Sequence, residues 1–205
     1  VKIMEKFRPF ASITVPIEIA NCDTDQIIPA RFLRCGADNP EYSNFLFHDL
    51  RFETARTEKD FNYNKIPYRN GQIFVADVTW GCGSSQENAA TKLVANGIRS
   101  VIAPSIADIH YNNCIKNGVL PIQLSETDCA NLRKPLRESP GGEIAIDLTI
   151  QGITGPYQTA YHFKIKEFDK YQLLNGLDDL NVTMELNNEI LKFAETYKVR
   201  HSWAS

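Results

Sequence analysis

Residues 72–122 read QIFVADVTWGCGSSQENAATKLVANGIRSVIAPSIADIHYNNCIKNGVLPI, and this stretch decides the fold class. Gln72 to Val78 is an apolar, β-branched run of strand length. It gives way at Gly81-Cys82-Gly83-Ser84-Ser85 to a segment expected to be helical from about Gln86 to Asn96. Gly97 is placed to take the left-handed residue that ends such a helix. Ser100 to Ala103 follows as a second, buried strand, Ile106 to Lys116 as a second helix capped by Gly118, and Leu120-Pro121-Ile122 as a third strand. Strands alternating with helices at this spacing predict right-handed crossovers and a parallel sheet. The class is α/β.

Outward from this core the signals weaken. Ser12 to Ala20 alternates and is rich in β-branched residues, so a strand is expected, with Pro16 arguing for a sheet edge. It runs into Asn21-Cys22-Asp23-Thr24-Asp25, a cluster that reads locally as an Asx-turn closing the strand. Residues 36–71 keep no sustained period, and only short helices and loops are expected there. After Pro140-Gly141-Gly142, the runs Glu143 to Ile150 and Gln158 to Lys166 predict a hairpin. Asp178 to Tyr197 has helical spacing in Leu180, Met184, Leu191 and Ala194. With no repeat or linker, residues 1–205 read as one domain, its core at about 7–124 and its hairpin and helical tail at about 140–200.

Composition narrows the function classes. A hydrophobic share of 43% and a charged share of 23% are ordinary globular values, which argues against disorder or a fibre. The net charge of -3, without Lys/Arg blocks, disfavours nucleic acid and anionic membrane as partners. No apolar run approaches bilayer thickness. Val1 to Phe10 carries Lys2, Lys6 and Arg8 without the apolar stretch of a secretory signal, so a cytoplasmic protein is expected. Cys22, Cys35, Cys82, Cys114 and Cys129 form no C-x-x-C or C-x-x-x-C pair. Free thiols in a reducing compartment are expected, with no metal ligated by this chain.

The candidate chemistry lies in Trp80 to Ala89. Glycines let backbone approach a ligand, and a helix start offers unpaired N–H groups and a positive dipole end suited to a carboxylate. Ser84 and Ser85 stand at that entrance. Ser84 with Glu87 also fits an S-x-x-E capping box, which requires no function, and local spacing alone favours it. Cys82, His48 and His110 read as packing or hydrogen-bonded residues.

Several segments shift that balance together. Asp23-Thr24-Asp25-Gln26-Ile27-Ile28-Pro29 followed by Arg31-Phe32-Leu33 resembles the DTDxIIPxxFL signature of the isopropylmalate dehydratase small subunits, in the aconitase superfamily. Gly81 to Ala89 is similar to that family's GCGSSREHA. Gly97 to Ala103 and Ala107 to Gly118 resemble its GIRxVIAxSFADIFYNNCxKNG run, and Phe45 to Phe52 its F-x-F-x-D-x-R segment. The matches are collinear from about residue 7 to 124.

The resemblance implies a swivelling β/β/α three-layer domain like the aconitase C-terminal domain. It implies a hydro-lyase of leucine biosynthesis that isomerises 2-isopropylmalate and 3-isopropylmalate by removing and re-adding water. The 4Fe–4S cluster would belong to a large partner subunit, with none bound by this chain. Ser84 would act as the base on carbon and Asp25 would handle the hydroxyl. Ser85, Gly83, Thr24, Arg34 and Gln86 would contact substrate.

The chain departs from the pattern at Gln86 and Asn88, where the family motif has Arg and His. Losing a buried charge contact costs about 2–5 kcal/mol if nothing compensates. Arg31, Arg34 or Lys116 would be the compensating cation. Otherwise the substrate is another 2-hydroxy diacid, of methylmalate or homocitrate type, or the chain is a non-catalytic regulatory paralogue.

Overall fold

A computed structural model describes residues 4–36, 39, 41–54, 57–201 and 203. Residues 37, 38, 40, 55 and 56 of the irregular stretch, and Lys2 of the basic N-terminus, lie outside the described residues. In chain order the strands are β1 (Phe10–Ile17), β2 (Phe52–Thr54), β3 (Thr57–Glu58), β4 (Ile73–Ala76), β5 (Ser100–Ala103), β6 (Leu120–Gln123), β7 (Glu143–Asp147), β8 (Gly152–Thr154) and β9 (Ala160–His162). The helices are α1 (Thr24–Ile27), α2 (His48–Arg51), α3 (Glu87–Ala95), α4 (Asp108–Lys116), α5 (Glu126–Glu138), α6 (Glu167–Asn175), α7 (Asp179–Glu185) and α8 (Asn187–Arg200).

The main sheet runs in the order β6-β5-β4-β1-β7-β8-β9. From β6 to β1 every pairing is parallel, and from β1 to β9 every pairing is antiparallel. The parallel half is the one expected from 72–122. Its strands are buried on both faces, as such a sheet requires. In β4, Phe74 and Ala76 enter a core shared with α3 and the 27–47 segment. Ile73 and Val75 enter a second core with Cys129, Leu132 and Leu136 of α5. Each large apolar side chain so buried contributes about 1.5–3 kcal/mol.

Four expectations change. Pro16 is not at an edge, because β1 lies between β4 and β7. It is tolerated because the two partners are staggered: β7 pairs with Phe10–Ile13 and β4 with Thr14–Ile17. Beyond the end of β7 the Pro16 carbonyl accepts from Asn62 Nδ2 at 2.9 Å, so the missing N–H falls on a side where no strand asks for it. The expected hairpin is a three-stranded meander, since Gly152–Thr154 forms a strand of its own and β7 joins the whole unit to β1. The helical tail breaks at Leu186, which ends α7 and starts α8. At 23–27 the expected Asx-turn is instead a helical turn. The Asp23 side chain accepts from Gln26 N–H at 2.7 Å and Gln26 Oε1 accepts from Asp23 N–H at 3.1 Å, a complete capping box.

Candidate active site

Two segments sixty residues apart are bound into one turn pair. Thr24 N–H donates to the Cys82 carbonyl at 2.9 Å, and Gly81 N–H donates to the Cys22 carbonyl at 2.7 Å, which makes Asp23 and Cys82 an isolated parallel bridge. Thr24 is buried, and its hydroxyl donates to the Ser84 carbonyl at 2.9 Å. The same carbonyl accepts from Gln86 N–H at 2.8 Å, so the Ser84 backbone is held from two directions.

Glycine is required twice in this turn. At Gly83, φ is +92°, and a Cβ there would come within 3.3 Å of the Asp23 Cβ. At Gly81, φ is +70°, and a Cβ would lie 2.3 Å from Cδ2 of His110. His110 is buried on α4 and accepts from Trp80 Nε1 at 3.2 Å through Nε2. Burial holds its pKa down to about 4, so the ring is neutral at physiological pH, as that acceptor role requires. Trp80 is anchored in turn: its N–H donates to the Ser105 carbonyl and its carbonyl accepts from Ala107 N–H, both at 2.9 Å. Gly81, Trp80 and His110 thus form the buried floor of the turn. Trp80 and Gly81 belong to the stretch singled out in the sequence, whereas His110 was read there only as a packing or hydrogen-bonded residue and is brought beneath the turn by α4.

Above that floor the polar groups are open. Gly83, Ser84, Ser85 and Asp25 are exposed. Neither serine hydroxyl has a hydrogen-bond partner among the described residues. Helix α3 begins at Glu87 with Gln86 as its N-cap, and no side chain caps it. The S-x-x-E capping box therefore does not form: Ser84 lies two residues before the cap, and Glu87 Oε1 accepts from Asn117 instead, at 3.3 Å. The serine pair is left beside a helix start whose first N–H groups have no partner within the helix. Gln86 Nε2 donates to Asp25 Oδ1 at 2.9 Å, and Gln86 Oε1 is shielded from solvent without a partner.

Seven residues were expected to form the site, and the structure draws six of them together. Ser84, Ser85, Gly83, Asp25 and Gln86 line the open turn, and Thr24 lies beneath it. Thr24 changes role: buried and committed to the Ser84 carbonyl, it has no hydrogen left to offer a substrate. Arg34 is exposed and makes no hydrogen bond or ion pair with either turn among the described residues. Of the other two cations, Arg31 is paired with Asp49 and Lys116 with Asp179 at 2.7 Å. Cys82 Sγ donates to the Asn21 carbonyl at 3.4 Å.

The cysteines are dispersed, and three of them are buried. Burial pushes Cys22 up to about 12 and Cys129 up to about 11, and it raises fully buried Cys114 as well. In the free chain these three sulfurs are buried thiols. Among the described residues no three His, Cys, Asp or Glu side chains converge in a metal-binding group. No helix among them is long and apolar enough to cross a membrane.

The profile of the family described as Aconitase C-terminal domain matches residues 4–127. The chain belongs to that family. The 3-isopropylmalate dehydratase small subunit of Paramagnetospirillum magneticum is 39% identical over 201 residues, which cover 98% of this chain and 100% of the relative. That of Granulibacter bethesdensis is 40% identical over 200 residues, covering 98% and 96%. The crystal structure of 3-isopropylmalate dehydratase from Methanocaldococcus jannaschii superposes with a TM-score of 0.64 at 23% identity, over 91% of this chain and 99% of that one. The likeness to that structure concerns the fold. The aconitase-type fold that the resemblance implied is the one observed.

Proposed function

We propose that this chain is the small subunit of a 3-isopropylmalate dehydratase, a hydro-lyase that interconverts 2-isopropylmalate and 3-isopropylmalate in leucine biosynthesis. The observation that carries the reading is the open Ser84 hydroxyl on a turn whose backbone is held by Thr24, beside Asp25 and the start of α3. The names of the relatives, matched over nearly the whole chain, support the substrate.

Removing a proton next to a carboxylate needs a base at the carbon and stabilisation of the charge that develops. Ser84 Oγ is the base. An alkoxide there is stabilised by the first-turn N–H groups of α3 and by its dipole, in a site dried by closure against a partner. Ser85 and the Gly83 backbone bind a substrate carboxylate, Asp25 handles the departing and returning hydroxyl, and Gln86 keeps Asp25 oriented. Thr24 is a positioning residue. Of Arg31, Arg34 and Lys116, Arg34 is the one without an ion pair among the described residues, and closure against the partner would have to carry it to the turn to meet a carboxylate in place of the family arginine at 86. A 4Fe–4S cluster on the large subunit supplies a Lewis acid for the substrate hydroxyl. Among the described residues no three candidate ligands of this chain converge, which supports a cluster held by the partner.

The test is reconstitution with the large subunit carrying its cluster. The mixture is expected to interconvert the isopropylmalates, and Ser84→Ala is expected to abolish turnover while still assembling. Full turnover by Ser84→Ala would remove the base assignment. Activity on methylmalate or homocitrate alone would replace the substrate, and tight assembly without turnover would favour a regulatory role.

A further inference from the structure

Helices α7 and α8 bury none of their residues. Ion pairing of Lys116 with Asp179 at 2.7 Å and a hydrogen bond from Tyr171 to Glu185 at 2.8 Å tie α7 to the body. Among the described residues no hydrogen bond or ion pair ties α8 to it. Yet α8 is amphipathic. Ile190, Phe193, Ala194 and Tyr197 follow helical spacing along one side, with Ile190 45%, Phe193 69% and Tyr197 38% exposed. The Phe193 and Tyr197 rings lie 5.8 Å apart and form a continuous aromatic ridge. A fourteen-residue helix with an unburied apolar face is marginal in water, and such a patch marks an interface.

Two comparisons indicate what covers it. The aconitase C-terminal domain profile ends at residue 127, well before α8, and its description is of a domain within a longer chain. The relatives that match 98% of this chain, tail included, are named small subunits. A domain tethered within its own chain docks at high effective concentration without needing affinity of its own. A separate subunit must offset lost translational and rotational freedom with additional contacts. Beyond the profile, α5, the meander and α6 pack into the core, and α8 is the element that presents uncovered aromatic surface.

We infer that the Ile190–Phe193–Tyr197 face of α8 is a docking surface for the large subunit, where the helix lies in an apolar groove of that partner. The inference rests on the functional reading above and adds to it the element that holds the two chains together.

The experiment titrates the large subunit with the intact chain and with a Phe193→Glu/Tyr197→Glu variant, and follows both Kd and turnover. Both side chains are exposed, so the variant is expected to keep the fold and melting temperature of the parent. Its Kd is expected to rise about 100-fold, the scale of losing two aromatic anchors. At saturating concentration its kcat is expected to equal the parent's, because the Ser84 turn is untouched. An unchanged Kd overturns the docking surface while leaving the functional reading intact. So does a parent chain that self-associates through this face, with the variant monomeric and its Kd for the large subunit unaltered. A parent chain that binds no large subunit overturns both.

Discussion

Replacing Thr24 with valine tests how the site is held. Valine keeps the shape of threonine and removes the donor that reaches the Ser84 carbonyl at 2.9 Å. That carbonyl retains its second bond, from Gln86 N–H, so no orphaned buried acceptor is created. The loss is one net hydrogen bond, about 1 kcal/mol. Thr24→Ser is the matched control. It keeps the hydroxyl and deletes a buried methyl, also costing about 1 kcal/mol. The two variants are therefore expected to show similar losses in urea denaturation. Their turnover in the reconstituted enzyme is expected to diverge. Valine releases the Ser84 turn, and a displacement of about 1 Å at a reacting group costs on the order of 100-fold in rate. That loss is expected in kcat with KM little changed, while serine stays within a few-fold of the parent. A valine variant with parental kcat would refute the positioning role. Equal losses in both variants would assign Thr24 to packing alone.

Two further outcomes follow from the floor of the turn. Gly81→Ala forces a side chain into the left-handed region, at about 1–2 kcal/mol. It also drives a Cβ to 2.3 Å from the His110 ring, where overpacking adds about 1–3 kcal/mol. A denaturant midpoint shift worth less than about 1 kcal/mol would contradict a rigid floor. His110 makes stability depend on pH. Its folded value of about 4 lies below the ordinary 6.5, so between these limits the unfolded chain binds a proton that the native chain does not. Stability is therefore full above about pH 6.5 and falls as pH drops toward 4, by about 2 kcal/mol at pH 5. His110→Gln is expected to remove that slope, and parallel pH profiles for the two proteins would contradict a neutral buried imidazole.

The parallel half of the sheet was legible because its signals are local. Short continuous apolar runs within 72–78 and 100–103, together with Gly97 and Gly118 at the helix ends, mark each element without reference to distant residues. Helix α5 was not foreseen, although Ser125 caps it through Asp128 N–H at 3.0 Å and Cys129, Leu132 and Leu136 supply an apolar stripe. Pro135 and the dense charge around it mask that periodicity. Pro16 misled because its edge preference reflects a missing donor, and only the stagger of β7 against β4 reveals that no donor is needed there.

From residues alone came the α/β class, the order of the parallel strands' helices, and the two polar turns at 21–29 and 80–89. Those features depend on neighbours within a few positions, where side-chain period and backbone preference act directly. Tertiary structure decided that the two turns share one bridge, that Thr24 lies beneath Ser84, that Ser84 is free of the capping box its spacing allowed, and that α8 stands uncovered. Each of these depends on which distant donor wins a given acceptor, or on which face finds a partner. Such competition is resolved only when the sheet brings the competing groups within reach.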